Sequence, residues 1–243
     1  MKSETVRQLK DLIETYDRVM KVMEHDAAEA MKRDSRAYGG FVRATKGKIQ
    51  EFLTEKIVRI AWDVELHRPP ARLAINSKKI RIPIQMQYVQ RLKDRAVRNY
   101  VLGNIKKFYY GLSVDKHVFI DGKLVLGVEC KAYTENAMLK RILVDFHLLK
   151  TKAPDMLCYL FQLESQLGGD YSAGKRNPRG STSSHTLMSY FSNVDLRVVT
   201  LLPGERKVDR PINKSQFFKT LALDRLELAI NMLVDGFREC TTA

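Results

Sequence analysis

The chain has 243 residues, 44% hydrophobic and 29% charged, which suits a folded domain with additions and excludes a disordered or collagen-like chain. Its 42 Lys and Arg against 28 Asp and Glu give a net charge of +14, so polyanions are the expected partners, nucleic acid before an anionic membrane surface. No apolar stretch is long enough to span a bilayer, no signal-peptide core opens the chain, and Cys130, Cys158 and Cys240 form neither a zinc spacing nor a disulfide framework; together these point to a cytoplasmic protein.

Residues 4–33 read as a long helix, because Val6, Leu9, Leu12, Ile13, Tyr16, Val19, Met20 and Met23 recur near helical spacing. It either packs on its own core or serves as a dimerisation helix. Ala37-Tyr38-Gly39-Gly40 is expected to break it. A second helix is expected from about Gly47 to Asp63, burying Ile49, Phe52, Leu53, Ile57, Ile60 and Ala61, with Glu51 and Glu55 on one side. Pro69-Pro70 ends that segment. Residues 72–82 alternate enough for a short strand or hairpin ending in Lys78, Lys79 and Arg81. Residues 85–108 look helical, with Met86, Val89, Leu92, Ala96, Tyr100 and Ile105 inward and Arg91, Lys93, Arg95, Arg98, Lys106 and Lys107 on the other face. That basic face is a solvated surface or a contact for DNA phosphates.

The most informative stretch follows. Ser113-Val114-Asp115 leads into an apolar run, His117-Val118-Phe119-Ile120, then a turn at Asp121-Gly122-Lys123, then Leu124 to Val128 and Glu129-Cys130-Lys131. Asp-Gly between apolar runs signals a β-hairpin. A tight two-residue turn at Asp121-Gly122 would pair Ile120 with Lys123 and Asp115 with Val128. A three-residue loop, or one bulge, pairs Ile120 with Leu124 and Asp115 with Glu129. The second register gathers Val118, Ile120, Leu124, Leu126 and Val128 on one apolar face and is preferred, because a buried face specifies register. Asp115, Glu129 and Lys131 then share the other face. Two adjacent carboxylates repel, and a hard cation such as Mg²⁺ relieves the repulsion. Such an ion can polarise a phosphate, lower the pKa of bound water and stabilise a departing oxygen.

Downstream, residues 133–150 read as a helix and Met156–Leu163 as a buried strand, parallel to its predecessor through a crossover connection. Residues 165–186 are rich in Gly, Lys, Arg, Asn, Ser and Thr. Within them Lys175, Arg176, Asn177, Arg179, Ser181 and Thr182 are candidate DNA-binding residues, since Arg can read guanine, Asn can read adenine, and hydroxyls bind phosphate. Gly169-x4-Gly174-Lys175 imitates a P-loop, but Arg176 stands where Ser or Thr is required. Leu196–Leu202 is a candidate strand, and residues 214–238 a last amphipathic helix containing Phe217, Phe218, Leu221, Leu226, Ala229, Leu233 and Phe237.

Val114-Asp115 followed by Glu129-Cys130-Lys131 resembles the PD-(D/E)XK nuclease superfamily, the type II restriction endonucleases in particular, with Val in place of the motif's Pro. The resemblance covers roughly residues 47–165. It implies an α/β fold, a restriction-endonuclease-like core with a central mixed β-sheet flanked by helices, plus the long N-terminal helix. Residues 1–45 would be a helical extension, 47–165 the catalytic core, and 166–243 a DNA-contacting loop and C-terminal helical part. It implies Mg²⁺-dependent hydrolysis of double-stranded DNA at a short specific site, by a homodimer whose partner DNA methyltransferase protects the host. Asp115 and Glu129 would hold the metal together with the Cys130 carbonyl, Lys131 would orient water, and Glu51 would join from the preceding helix. A structure-specific repair or recombination nuclease of the same fold and a non-enzymatic, sequence-specific DNA-binding module are the alternatives.

Overall fold

A computed structural model describes residues 1–31, 35–171, 179–207, 209 and 217–242. In chain order the elements are α1 (Ser3–Met31), α2 (Ser35–Arg59), β1 (Leu73–Asn76), β2 (Ile80–Pro83), α3 (Met86–Arg91), α4 (Arg95–Gly103) and β3 (Tyr109–Leu112). They continue with β4 (Lys116–Ile120), β5 (Lys123–Thr134), α5 (Asn136–Lys150), β6 (Leu157–Ser165), α6 (Thr182–Ser189), β7 (Leu196–Thr200) and α7 (Leu223–Thr242).

The fold is α/β, and its centre is a mixed five-stranded sheet in the order β1-β4-β5-β6-β7. β1 pairs antiparallel with β4 and β4 with β5, while β5 with β6 and β6 with β7 pair parallel. The expected crossover is therefore present: α5 carries the chain from β5 back to a parallel β6. Helices cover both faces. On one face α1, α2 and α7 bury Leu9, Tyr16, Leu53, Trp62, Leu233 and Phe237 against Val118, Leu126, Val128 and Phe161 of the sheet. On the other, α5 buries Leu139, Leu143, Phe146 and Leu149 against Cys158 and Leu160. The β6 strand is buried along both faces, which is why it reads as an unbroken apolar run rather than an alternating one.

Several expectations change. The α2 helix starts at Ser35, so Gly39-Gly40 lies inside a helix rather than between two. Glycine weakens a helix by about 1 kcal/mol per residue but does not forbid it. Helical backbone then continues beyond Arg59 as a widened turn at Ile60–Glu65. Residues 72–82 are neither one strand nor a hairpin. The β1 strand pairs with β4 in the main sheet, and β2 pairs with β3 in a separate two-stranded sheet. Residues 85–108 form two short helices, because the Asp94 carboxylate accepts from the Ala96 and Val97 amides and so caps a new start. Val89 is buried as expected, but Met86 and Tyr100 point outward. Residues 214–216 of the expected last helix lie outside the described residues; among those described the helix begins at Leu223, and Phe218 packs on the core from the segment leading into it.

Candidate active site

Asp121 and Gly122 both have positive φ, 50° and 81°, the backbone of a tight two-residue hairpin turn. The Arg72 guanidinium holds the Asp121 carboxylate from the turn just before the neighbouring strand β1. The turn pairs Ile120 with Lys123, as the rejected register required. One bulge then shifts the register: Phe119 faces Leu124, Val118 faces Leu126, and Lys116 faces Val128. One step beyond that last pair, Asp115 lies beside Glu129. The bulge also corrects the apolar face. Val125 joins Val118, Ile120, Leu126 and Val128 on the α2 side, while Leu124 packs on the α5 side. A bulge adds one residue and so exchanges the faces of everything on one side of it.

Three charged side chains converge on the α5 face. Lys131 Nζ donates to Asp115 Oδ2 at 3.1 Å, to Glu129 Oε2 at 2.5 Å and to the Cys130 carbonyl at 3.2 Å. The Cys130 amide donates to Asp115 Oδ2 at 2.7 Å, so one residue presents both backbone groups to the site. Its thiol points the other way into the apolar core, where burial raises its pKa. Glu129 is 6% exposed; burial and then the neighbouring Asp115 carboxylate push its pKa up to about 7. Burial also opposes the Asp115 charge, but the bonds from Glu129, Lys131 and the Cys130 amide together lower its pKa. Burial likewise works against the Lys131 ammonium, yet Glu129 and Asp115 hold its pKa above the usual range. Two carboxylates and a carbonyl oxygen directed at one point make a hard-donor set, and a small divalent cation fits it.

A cavity of about 480 Å³ opens over this trio. Met138, Arg141, Ile142 and Asp145 line it, a stripe at i, i+3, i+4 and i+7 on α5. Arg141 and Asp145 lie 3.8 Å apart. Burial raises the Asp145 pKa, which Arg141 and Lys131 counteract. Neither residue was singled out from sequence. The available signal was the short connection after Lys131, which returns α5 over the strand face that carries it.

Gly127 makes that return possible. It lies on the same face of β5, two residues before Glu129, and a Cβ there would sit 2.9 Å from the Phe146 ring and 3.1 Å from Met156 Sδ. Gly127→Val is expected to destabilise the protein by about 1–3 kcal/mol through overpacking. Urea unfolding measures this, and a variant as stable as the parent would show that α5 has room to spare.

The remaining sequence candidates separate from the trio. Glu51 lies on α2, 3.7 Å from Lys116 Nζ, and Glu55 holds the same ammonium at 3.2 Å. Lys116 follows Asp115 by one residue and therefore points to the opposite face. Among the described residues no third carboxylate, histidine or cysteine side chain joins Asp115 and Glu129 in a metal-binding group. Lys175, Arg176 and Asn177 lie outside the described residues. Arg179 is exposed, and its carbonyl lies 2.7 Å from His185 Nε2. Ser181 caps α6: its hydroxyl accepts from the Ser184 amide at 3.1 Å. Thr182, in the first turn of that helix, is exposed.

The chain is 64% identical over 239 residues to the type II restriction enzyme DdeI of Desulfomicrobium norvegicum, a match spanning 98% of this chain and the whole of that relative. The chain belongs to the type II restriction enzymes. No family model and no solved structure matches this restriction enzyme. Its membership sets aside the non-enzymatic DNA-binding module: the protein is a site-specific endonuclease.

Proposed function

We propose that this restriction enzyme is a Mg²⁺-dependent nuclease of the PD-(D/E)XK superfamily. It hydrolyses phosphodiester bonds in double-stranded DNA at a short specific site and leaves 5′-phosphate and 3′-hydroxyl ends. One observation carries the reading: Asp115, Glu129 and Lys131 meet on one strand face around a single point, beneath an open cavity. Asp115, Glu129 and the Cys130 carbonyl would hold Mg²⁺, which when bound supplies Lewis-acid polarisation of the phosphate and charge neutralisation at the departing oxygen. Lys131 positions the attacking water and sets a positive charge against the pentacovalent phosphate. Glu51, paired with Lys116 on the α2 side, is a weaker candidate for this centre than Asp145, which lines the cavity.

The enzyme acts as a homodimer, because a two-fold-symmetric site is matched by a two-fold-symmetric protein. A DNA methyltransferase of the same system protects host DNA. The alternative of a repair or recombination nuclease has less support, given the near full-length likeness to a restriction enzyme. The decisive experiment is to incubate the protein with phage DNA with and without Mg²⁺ and to sequence the fragment ends. Discrete fragments sharing one terminal sequence, abolished by EDTA, are expected. Ends without a shared sequence, or cutting that EDTA leaves intact, would overturn the reading.

Sequence readout is assigned to the segment holding Lys175, Arg176, Asn177, Arg179, Ser181 and Thr182. Arg176→Ala, Asn177→Ala or Arg179→Ala is expected to cost about 1–3 kcal/mol at one base pair and to relax specificity there, as loss of a base contact does. Competition between the cognate duplex and single-mismatch duplexes measures this. Three variants with unchanged discrimination would move readout elsewhere. Ser181→Ala is a separate case, since it removes a helix cap and mainly costs stability.

A further inference from the structure

Between β1 and β4 the chain leaves the main sheet. Residues 77–112 run out along β2, turn through α3 and α4, and return along β3. Ile82 and Leu112 anchor this excursion in the core beneath α5, while the buried Val89 and Val101 lie within its helices. The excursion carries nine Lys and Arg against one acid, Asp94, and so contributes +8 of the total +14 from 36 residues. Asp94 is committed to capping α4. Among the described residues none of the nine cations has a carboxylate partner, and although some cations elsewhere, such as Arg72, Lys116 and Arg225, are paired, others such as Lys10 and Lys152 are not, so it is the density of cations that sets this stretch apart.

The same stretch is also unusually aromatic on its surface. Seven of the twelve large apolar or aromatic side chains exposed among the described residues fall within residues 86–110, including Tyr88, Tyr100, Tyr109 and Tyr110. Arg81 stacks on the Tyr109 ring at 4.3 Å. Lys79 and Tyr110, at the base of the excursion, line the cavity over Asp115, Glu129 and Lys131. The surface is therefore continuous with the place where the cleaved phosphate sits.

We infer that residues 77–112 form an arm that grips duplex DNA beside the cleaved phosphate, with its cations on backbone phosphates and its exposed tyrosines against the groove. The inference rests on the reading of the trio as the cleavage centre. Unpaired cations release counterions when they meet phosphates, which is the main source of affinity in such contacts. A second copy of the chain is the weaker occupant. An isologous contact would set +8 against +8, and the centres of protein interfaces are depleted of charge.

The test compares two variants of equal charge. One carries Arg91→Gln, Lys93→Gln, Lys106→Gln and Lys107→Gln, all exposed on the arm; the control carries Lys10→Gln, Lys21→Gln, Lys56→Gln and Lys152→Gln, all exposed outside it. Thermal melts establish that both fold. Binding to a cognate duplex is measured in EDTA across a salt series, and the parent is assayed for cleavage with Mg²⁺ in parallel. Each lost phosphate contact lowers the slope of log K against log salt by about 0.9. A fall of roughly 2–4 in the arm variant, with the control near the parent, is expected. Equal falls in both variants, or no fall in the arm variant, would overturn the inference. An unchanged slope with a change from dimer to monomer would assign the arm to self-association instead. A parent that binds but does not cut would fail the cleavage reading while leaving the arm result to stand or fall by its slope.

Discussion

Lys131→Ala is expected to lose cleavage by a factor on the order of 10²–10³, the usual contribution of one group that stabilises transition-state charge, while still binding its cognate duplex. The Lys131 ammonium lies within 3.2 Å of both carboxylates and of the Cys130 carbonyl, so it can position a water and offset phosphate charge from one location. Lys131 lines the cavity over the trio, so its removal leaves in place the exposed cations elsewhere, which supply most of the affinity for DNA phosphates. Glu129→Ala is expected to fail equally in cleavage for a different reason, the loss of one of two carboxylates in the metal set. Single-turnover cleavage and filter binding on the same preparations separate chemistry from affinity. Normal turnover by either variant would remove the trio from catalysis. Loss of binding in step with cleavage would mean that the trio serves mainly to hold DNA.

Trp62→Ala is expected to destabilise the fold by about 3–5 kcal/mol, as large aromatic deletions from a packed core do. Trp62 is fully buried, meets the Phe237 ring edge-on at 5.2 Å, and donates through Nε1 to the Pro69 carbonyl at 3.0 Å. It thus joins the end of α2 to α7 and closes the segment leading towards β1. Trp62→Phe should cost less, since it keeps most of the ring packing and loses mainly the hydrogen bond. Urea midpoints for the two variants test this order. A Trp62→Ala protein within about 1 kcal/mol of the parent would show that the cavity collapses without cost, contrary to the usual behaviour of such sites.

The sequence by itself determined the elements whose cause is local. The long first helix, the helix after Thr134 and the buried strand at Met156–Leu163 follow from apolar spacing, and the structure has α1, α5 and β6 close to those places. The placement of Asp115 beside Glu129 was legible because burial of one hairpin face selects the register, and the apolar residues declare that face. The device was less legible. A two-residue turn with a bulge and a wider turn give the same alignment at Asp115, and only the folded sheet distinguishes them by placing Val125 rather than Leu124 on the α2 side.

Tertiary structure decided what depends on residues far apart in the chain. Glu51 was a candidate because the resemblance implies an acid on the helix before the hairpin, but strand alternation sends its partner Lys116 to the other face. Arg141 and Asp145 look like ordinary helix charges until α5 settles over Gly127, where the missing side chain allows close approach. Residues 72–82 alternate like one strand or hairpin, yet β1 and β2 enter different sheets because their partners, β4 and β3, come from further along the chain. Periodicity reports which side of an element is apolar. It does not report which neighbour covers that side, so Met86 and Tyr100, inward by spacing, stand exposed on the excursion between β1 and β4.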